Sequence, residues 1–267
     1  MLIFFLSSCQ TQTQTEFEKI YSDASKEIDK GNFEQAIKHL NKAILLNYRG
    51  DSLYTLKGYC YYQIGDYEKT IKQAEMALSF NSQNDYAYFL KGISKSNMNI
   101  YDPIKDKLYS DKFNYDTLDG IFYAPYSISY SSNGMINKVV DLRSAIEDLS
   151  KSIELFDSYA DSYNERGKLY RQIRVYDRAL VDFNKAIELL KDDPEFYHQR
   201  ALLYKEQKQP EQSLKDFDRA IELEQNPFFY ANRGYLKREQ LQDEKGACED
   251  LKTAANLGLS LDDDKCK

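Results

Sequence analysis

One spacing governs this chain: small residues return about every 34 positions. In one column they are Ala24, Gly58, Gly92, Gly167, Ala201 and Gly234, with steps of 34, 34, 75, 34 and 33. In a second, Ala36, Thr70, Ala145, Ala179, Ser213 and Ala247 step by 34, 75, 34, 34 and 34. A third, Ala43, Ala77, Ser152, Ala186, Ala220 and Ala254, repeats the steps of the second. Self-similarity at roughly 20–50 residues marks stacked units rather than one globular core. The anomalous step of 75 exceeds 34 by 41, so one unit carries an insertion of that size.

Each unit reads as two helices. With 11 Gly and 5 Pro in 267 residues there is little material for sheets and turns, which favours long helices. Residues three, four and seven apart share a helix face. Tyr163, Gly167 and Tyr170 therefore form one stripe, and Ala179, Phe183 and Ala186 a second. Gly or Ala lets the paired helix approach, and the ring fills the space beside it. Gly31-Asn32-Phe33 and Gly65-Asp66-Tyr67 read as inter-helix turns, with Asn32 and Asp66 as N-caps. Pro194 and Pro227 suit first helical turns, where a missing N–H costs nothing. The units are 17–50, 51–84, 85–159, 160–193, 194–226 and 227–260. The sixth has one extra residue before Ala247, which predicts an irregular turn there.

These columns resemble the tetratricopeptide repeat, most fully in Tyr163, Gly167, Tyr170, Ala179, Phe183 and Ala186. The resemblance covers residues 17–260 and implies an all-α, right-handed superhelical solenoid of six antiparallel helix pairs with one long insertion. It further implies a protein-interaction scaffold that binds peptide segments in a concave groove lined by first helices. Carried over by repeat position, that groove includes Tyr59, Tyr62 and Phe89 in the first half. In the second half it includes Lys168, Arg171, Lys205, Tyr235 and Arg238. Arg171, Lys205 and Arg238 recur at the repeat spacing and are expected to form a basic ladder, because like charges in a cleft focus field. The family's clamp for chaperone tails needs Asn at the ninth positions, and none of the six supplies it.

The N-terminus carries a different signal. Met1 to Leu6 is apolar but far shorter than the ~20 residues of a membrane span. Leu6-Ser7-Ser8-Cys9 resembles a bacterial lipobox, which implies acylation of Cys9, with residues 1–9 as a truncated-looking lipoprotein signal. Gln10 to Thr15 has no packing face, so residues 10–16 read as a flexible tether. The location this implies is the bacterial cell envelope, at the outer membrane facing the periplasm, held by the lipid alone.

Residues 17–98 then hold units one, two and the first helix of three, and 141–260 the remainder. Residues 261–267 form a C-terminal cap. Between them, 99–140 is rich in tyrosine, including Tyr123, Tyr126 and Tyr130. Asp102-Pro103 could open a short helix there. The alternation of Tyr126, Ile128 and Tyr130 before Asn133-Gly134 reads as a hairpin. The insertion is expected either to pack on its own repeat or to bind a partner. A tyrosine stacking surface for cell-wall glycan such as peptidoglycan is the alternative function.

Charge and motif content exclude other classes. A net charge of −7 argues against nucleic acid as the main partner and provides no polybasic membrane anchor. There is no nucleophile elbow, phosphate-binding glycine loop or HExxH motif, so no catalytic set, cofactor or metal is expected. Cys9, Cys60, Cys248 and Cys266 contain no C-x-x-C pair. Cys60, among Tyr59, Tyr61 and Tyr62, reads as a buried free thiol. Cys248 and Cys266 lie 18 positions apart, where an antiparallel return would let them bond in an oxidising compartment. His198 shows no acidic partner at a telling spacing.

Overall fold

The computed structural model describes residues 2–46, 50–98, 116–118, 121–123, 127–130, 136–140, 142–260 and 266. Five helices come first: α1 Leu2–Asp29, α2 Phe33–Leu45, α3 Asp51–Gln63, α4 Tyr67–Phe80 and α5 Asp85–Met98. Four short strands follow, β1 Asp116–Leu118, β2 Ile121–Tyr123, β3 Ser127–Tyr130 and β4 Ile136–Val140. The remaining helices are α6 Leu142–Leu155, α7 Ala160–Gln172, α8 Tyr176–Leu189, α9 Pro194–Glu206, α10 Pro210–Leu223, α11 Pro227–Gln240 and α12 Glu244–Asn256.

The chain divides into two compact units, Met1–Asp116 with Ala124–Asp157 and Thr117–Tyr123 with Ser158–Lys267. In the first, the pairs α1–α2, α3–α4 and α5–α6 stack, with α2 on α3 and α4 on α5. In the second, α7–α8, α9–α10 and α11–α12 stack in the same way. Both are all-α repeat solenoids, as the 34-residue period requires.

The small-residue columns do what steric reasoning expects. A Cβ on Gly167 would lie 2.8 Å from Cε1 of Phe183, and one on Gly92 2.7 Å from Cγ of Leu149. Leu149, Phe183, Phe217 and Leu251 occupy one column of the second helices, and each is almost wholly buried. The ring or branched chain therefore fits where its partner is glycine, or in one repeat alanine, with Ala201 against Phe217.

Turn chemistry follows the pattern with one exception. Gly31 and Gly65 take φ of +76° and +77°, and each turn closes with the paired backbone bonds of a helix C-cap. Asp66 caps α4, its carboxylate accepting from the Lys69 N–H at 3.2 Å. Asn32 does not cap α2 with its side chain. Its Nδ2 donates to Glu27 at 2.8 Å instead, because an acid one turn back competes for the amide. At the equivalent turns of the second unit Arg174, Lys208 and Gln242 hold φ of +62°, +59° and +56° without the freedom of glycine. The sixth turn is irregular as expected. Asp243 N–H reaches back six residues to Lys237, whereas Asn32, Asp66, Val175 and Gln209 reach back five.

One expectation needs adjustment. The backbone of α1 is helical from Leu2, so the stretch 10–16 expected as a flexible tether is part of a helix. The physical reason is that no Gly or Pro interrupts residues 2–29. The hairpin expected in the insertion is present: β3 and β4 pair antiparallel with Tyr130 opposite Ile136, and β1 and β2 form a second pair. The turn pair Asn133-Gly134 lies outside the described residues. The helix start proposed at Asp102-Pro103 lies outside the described residues, as does the cap segment 261–265.

Unit three closes despite its 41 extra residues. Helix α5 packs on α6, with Gly92 against Leu149 and the Lys95 ammonium donating to Asp148.

Cys60 on α3 is fully buried and unbonded, and burial pushes its thiol up to about 12. The unfolded thiol titrates near ~8.5, so its folded value is raised. The associated stability is complete below that pH and falls by about 1.4 kcal/mol per pH unit above it. Iodoacetamide should therefore leave native Cys60 unmodified at pH 8 and label it fully in denaturant, read by mass spectrometry.

Candidate partner-binding surface

The second unit presents an ion-pair system built from repeated columns. Arg166, Arg200 and Arg233 occupy the seventh positions of α7, α9 and α11. Each grips an aspartate of its paired helix with both Nε and Nη2. The distances are 2.9 and 2.8 Å to Asp182, 2.7 and 2.8 Å to Asp216, and 2.9 and 2.6 Å to Asp250. Arg200 also donates to Asn184 at 2.7 Å and Arg233 to Asp218 at 2.6 Å, both on the preceding repeat. In the first unit Lys91 faces Asp148 at the matching position, 3.5 Å apart.

Tyrosines flank these arginines one turn away. Arg166 lies 5.8 Å from the centres of both Tyr163 and Tyr170, and Arg233 lies 5.5 Å from Tyr230. These tyrosines thus have a local role: planar guanidinium groups stack on aromatic faces. Sequence reading missed this network, although its signal was present. The columns Lys91–Arg166–Arg200–Arg233 and Asp148–Asp182–Asp216–Asp250 follow the repeat spacing.

The expected basic ladder is present as residues but not as free charge. Arg171 Nη1 donates to Glu206 at 2.6 Å and Nη2 to Gln199 at 3.2 Å. Lys205 pairs with Glu239 at 3.1 Å and lies 5.9 Å from the Tyr235 ring. In both cases the acid stands on the next first helix, so each cation meets an acid one repeat along. Arg238 departs from the ladder altogether and turns to Glu244. Lys168 folds back onto Glu165, at 2.8 Å. The surface is charge-balanced rather than positive.

His198 has partners that spacing did not reveal. It is buried between Phe217 and Phe229, ring centres 5.9 and 4.7 Å away. Its Nδ1 lies 3.4 Å from Glu195, and Nε2 lies 3.1 Å from the Asn232 amide. Glu195 is pulled in both directions. Burial raises its carboxyl, but bonds from His198 and Gln199 outweigh that and hold it below the usual range.

In the first unit the corresponding face is neutral. Tyr59 is half-buried edge-on to Phe33, with centres 6.1 Å apart, and Tyr62 packs on Tyr67 at 5.8 Å. Phe89 is a core residue, 7% exposed and stacked on Tyr86, because the fifth helix position turns into the stack. It is not available to a partner. Tyr123 and Tyr130 end strands β2 and β3, while Tyr126 and all three side chains fall outside the described residues, as does the Cys9 side chain.

Cys248 and Cys266 are bonded, with Cα atoms 5.1 Å apart. Glu244, Cys248 and Cys266 bring ligand-type atoms within 4.8 Å of one another. The sulfurs are joined and the Arg238 guanidinium lies against them, an arrangement unsuited to a cation. No helix among the described residues is long and apolar enough to cross a membrane.

Stacked antiparallel helix pairs with side chains running from one first helix to the next define a class, the helical repeat scaffold. Tetratricopeptide-repeat models match residues 160–192 and 194–227, and a second such model matches 24–85. The chain is a tetratricopeptide-repeat protein. Among solved structures it is similar to a thermophilic TPR protein of Thermus thermophilus. The identity is 13%, the TM-score 0.55, and the alignment covers 88% of this chain and 99% of that one. It is similar to MamA from Desulfovibrio magneticus at 15% identity and a TM-score of 0.55, over 80% and 97% of the two chains. A TPR protein with an unusual peptide-binding site, YrrB, aligns at 15% identity and a TM-score of 0.51, over 82% and 92%. No curated protein matches the chain in sequence. At these identities the likeness is one of fold.

Proposed function

We propose that the protein is a non-catalytic scaffold, tethered by lipid in a bacterial envelope, that binds peptide segments of partner proteins on its first-helix faces. The fold supports protein–protein interaction. One observation carries the peptide reading: in the second unit, side chains of consecutive first helices join into a single polar surface across three repeats. Arg171 reaches Glu206 and Gln199, Lys205 reaches Glu239, and Gln240 donates to the Lys205 carbonyl at 2.9 Å. The disulfide favours an oxidising compartment, which agrees with the Leu6-Ser7-Ser8-Cys9 signal and a periplasmic location.

An acidic peptide group would take Arg171 and Lys205 by displacing Glu206 and Glu239. These acids are 38% and 55% exposed, and exposed ion pairs are worth only about 0–1 kcal/mol. Arg171→Glu with Lys205→Glu should therefore weaken recovery of the native partner from the envelope, while Glu206→Gln with Glu239→Gln should strengthen it. Unchanged recovery in both double variants would remove the assignment.

A further inference from the structure

The last repeat ends in a charged cluster that the peptide-binding face does not use. Arg238 on α11 donates from Nε to both oxygens of Glu244, at 3.0 and 3.2 Å. Its Nη2 lies 2.9 Å from Cys266 Sγ and 3.7 Å from Cys248 Sγ. Cys248 is half-buried on α12, whereas Cys266 is 9% exposed. The bond holds Cys266 against Ala231, Leu251 and Ala254, with Tyr230, Tyr235 and Leu259 packed around them.

A guanidinium gains little from a neutral disulfide sulfur and much from a thiolate. In thiol–disulfide exchange the departing sulfur leaves faster the lower its pKa, and a nearby cation lowers that pKa. Glu244 acts in the opposite sense, with a carboxylate oxygen 3.8 Å from Cys248 Sγ. The two sulfurs are therefore unequal. The more accessible one lies beside an acid, and the buried one beside the cation. This asymmetry favours attack at Cys248 with Cys266 leaving.

We propose that Cys248–Cys266 is an exchange-active clasp, opened by an external dithiol reductant, with Arg238 as the positioning residue for the leaving thiolate. One reductant thiolate bonds to Cys248 Sγ as the S–S bond breaks, and the electron pair passes to Cys266 Sγ beside Arg238. The second reductant thiol then displaces Cys248, leaving the reductant as a disulfide. Two electrons and two protons pass from the dithiol to the cysteine pair. Opening the clasp frees Cys266 from the apolar cluster of Ala231, Leu251 and Ala254, making the end of this unit responsive to thiol reductants.

The test measures reduction of the full chain by dithiothreitol at pH 7. Arg238→Gln should slow it about three- to tenfold, and Arg238→Lys, which keeps the charge, should stay within about twofold of the native rate. Independently, Cys248→Ser leaves Cys266 unpaired, and its pKa follows from the alkylation rate of its own peptide against pH, read by mass spectrometry. It should fall below the free value of about 8.5 and rise when Arg238→Gln is added. Helical circular dichroism checks that the variants are folded. A Cys266 pKa at or above the free value, or equal reduction rates for native protein and a folded Arg238→Gln variant, would overturn the proposal.

Discussion

Asp182→Ala should destabilise the second unit by about 3–5 kcal/mol, because it leaves the Arg166 charge half of a broken buried pair. The Asp182 side chain is 3% exposed and that of Arg166 18%, so water cannot readily replace the lost carboxylate. Burial pushes the Asp182 carboxyl up, and the two guanidinium hydrogen bonds oppose it without fully compensating. Against burial, the same carboxylate holds the Arg166 guanidinium's pKa up, so the two partners' shifts oppose each other and neither sets the worth of the pair. Geometry decides it: both charges leave water, and such a buried pair is often worth little against an apolar replacement even though half of it is costly. The double variant Arg166→Met with Asp182→Leu should accordingly recover most of the loss. Urea unfolding of both variants provides the measurement, and a double variant no better than Asp182→Ala would show that the pair itself stabilises.

Phe183→Ala should cost a similar amount, about 3–5 kcal/mol, by emptying the space that Gly167 leaves for the ring. Phe183 is fully buried, and the missing Cβ of Gly167 would lie 2.8, 3.2 and 3.0 Å from three of its ring atoms. The two positions are one packing decision. Gly167→Ala alone should destabilise through overlap with the ring, by about 1–3 kcal/mol. In the Phe183→Ala background the added methyl enters a vacated space, so its cost should shrink or reverse. The non-additivity of the cycle in urea midpoints tests this coupling. Equal effects in both backgrounds would mean that the ring and the glycine do not share the gap.

These examples show where reasoning from the residues reached far and where it stopped. Helix pairs, the turn positions and the Gly167–Phe183 fit follow from periodicity and side-chain volume alone, which act locally and repeat along the chain. The disulfide was also within reach, since two cysteines in a short antiparallel return have few alternatives. The surface was harder. Arg171 and Lys205 read by repeat position as a basic ladder, but their charge is cancelled by Glu206 and Glu239 on the next repeat, which only packing brings close. Phe89 misled because an aromatic residue looks alike in a list whether it faces a cleft or a neighbour. Asn32 was placed correctly and its hydrogen bond misassigned, since Glu27 competes for the amide through space. The arginine–aspartate columns were visible at the repeat spacing, yet buried charge is an unexpected choice where an apolar pair would pack.

The closure of unit three has a consequence for how such a chain can change over time. Because α5 and α6 pack directly on each other, with Gly92 on Leu149 and Lys95 on Asp148, this repeat is closed by its own two helices whatever length of chain runs between them. The join acts as a socket: its two rims are held by the scaffold, so a longer or shorter segment entering there would meet the same pair of helix ends.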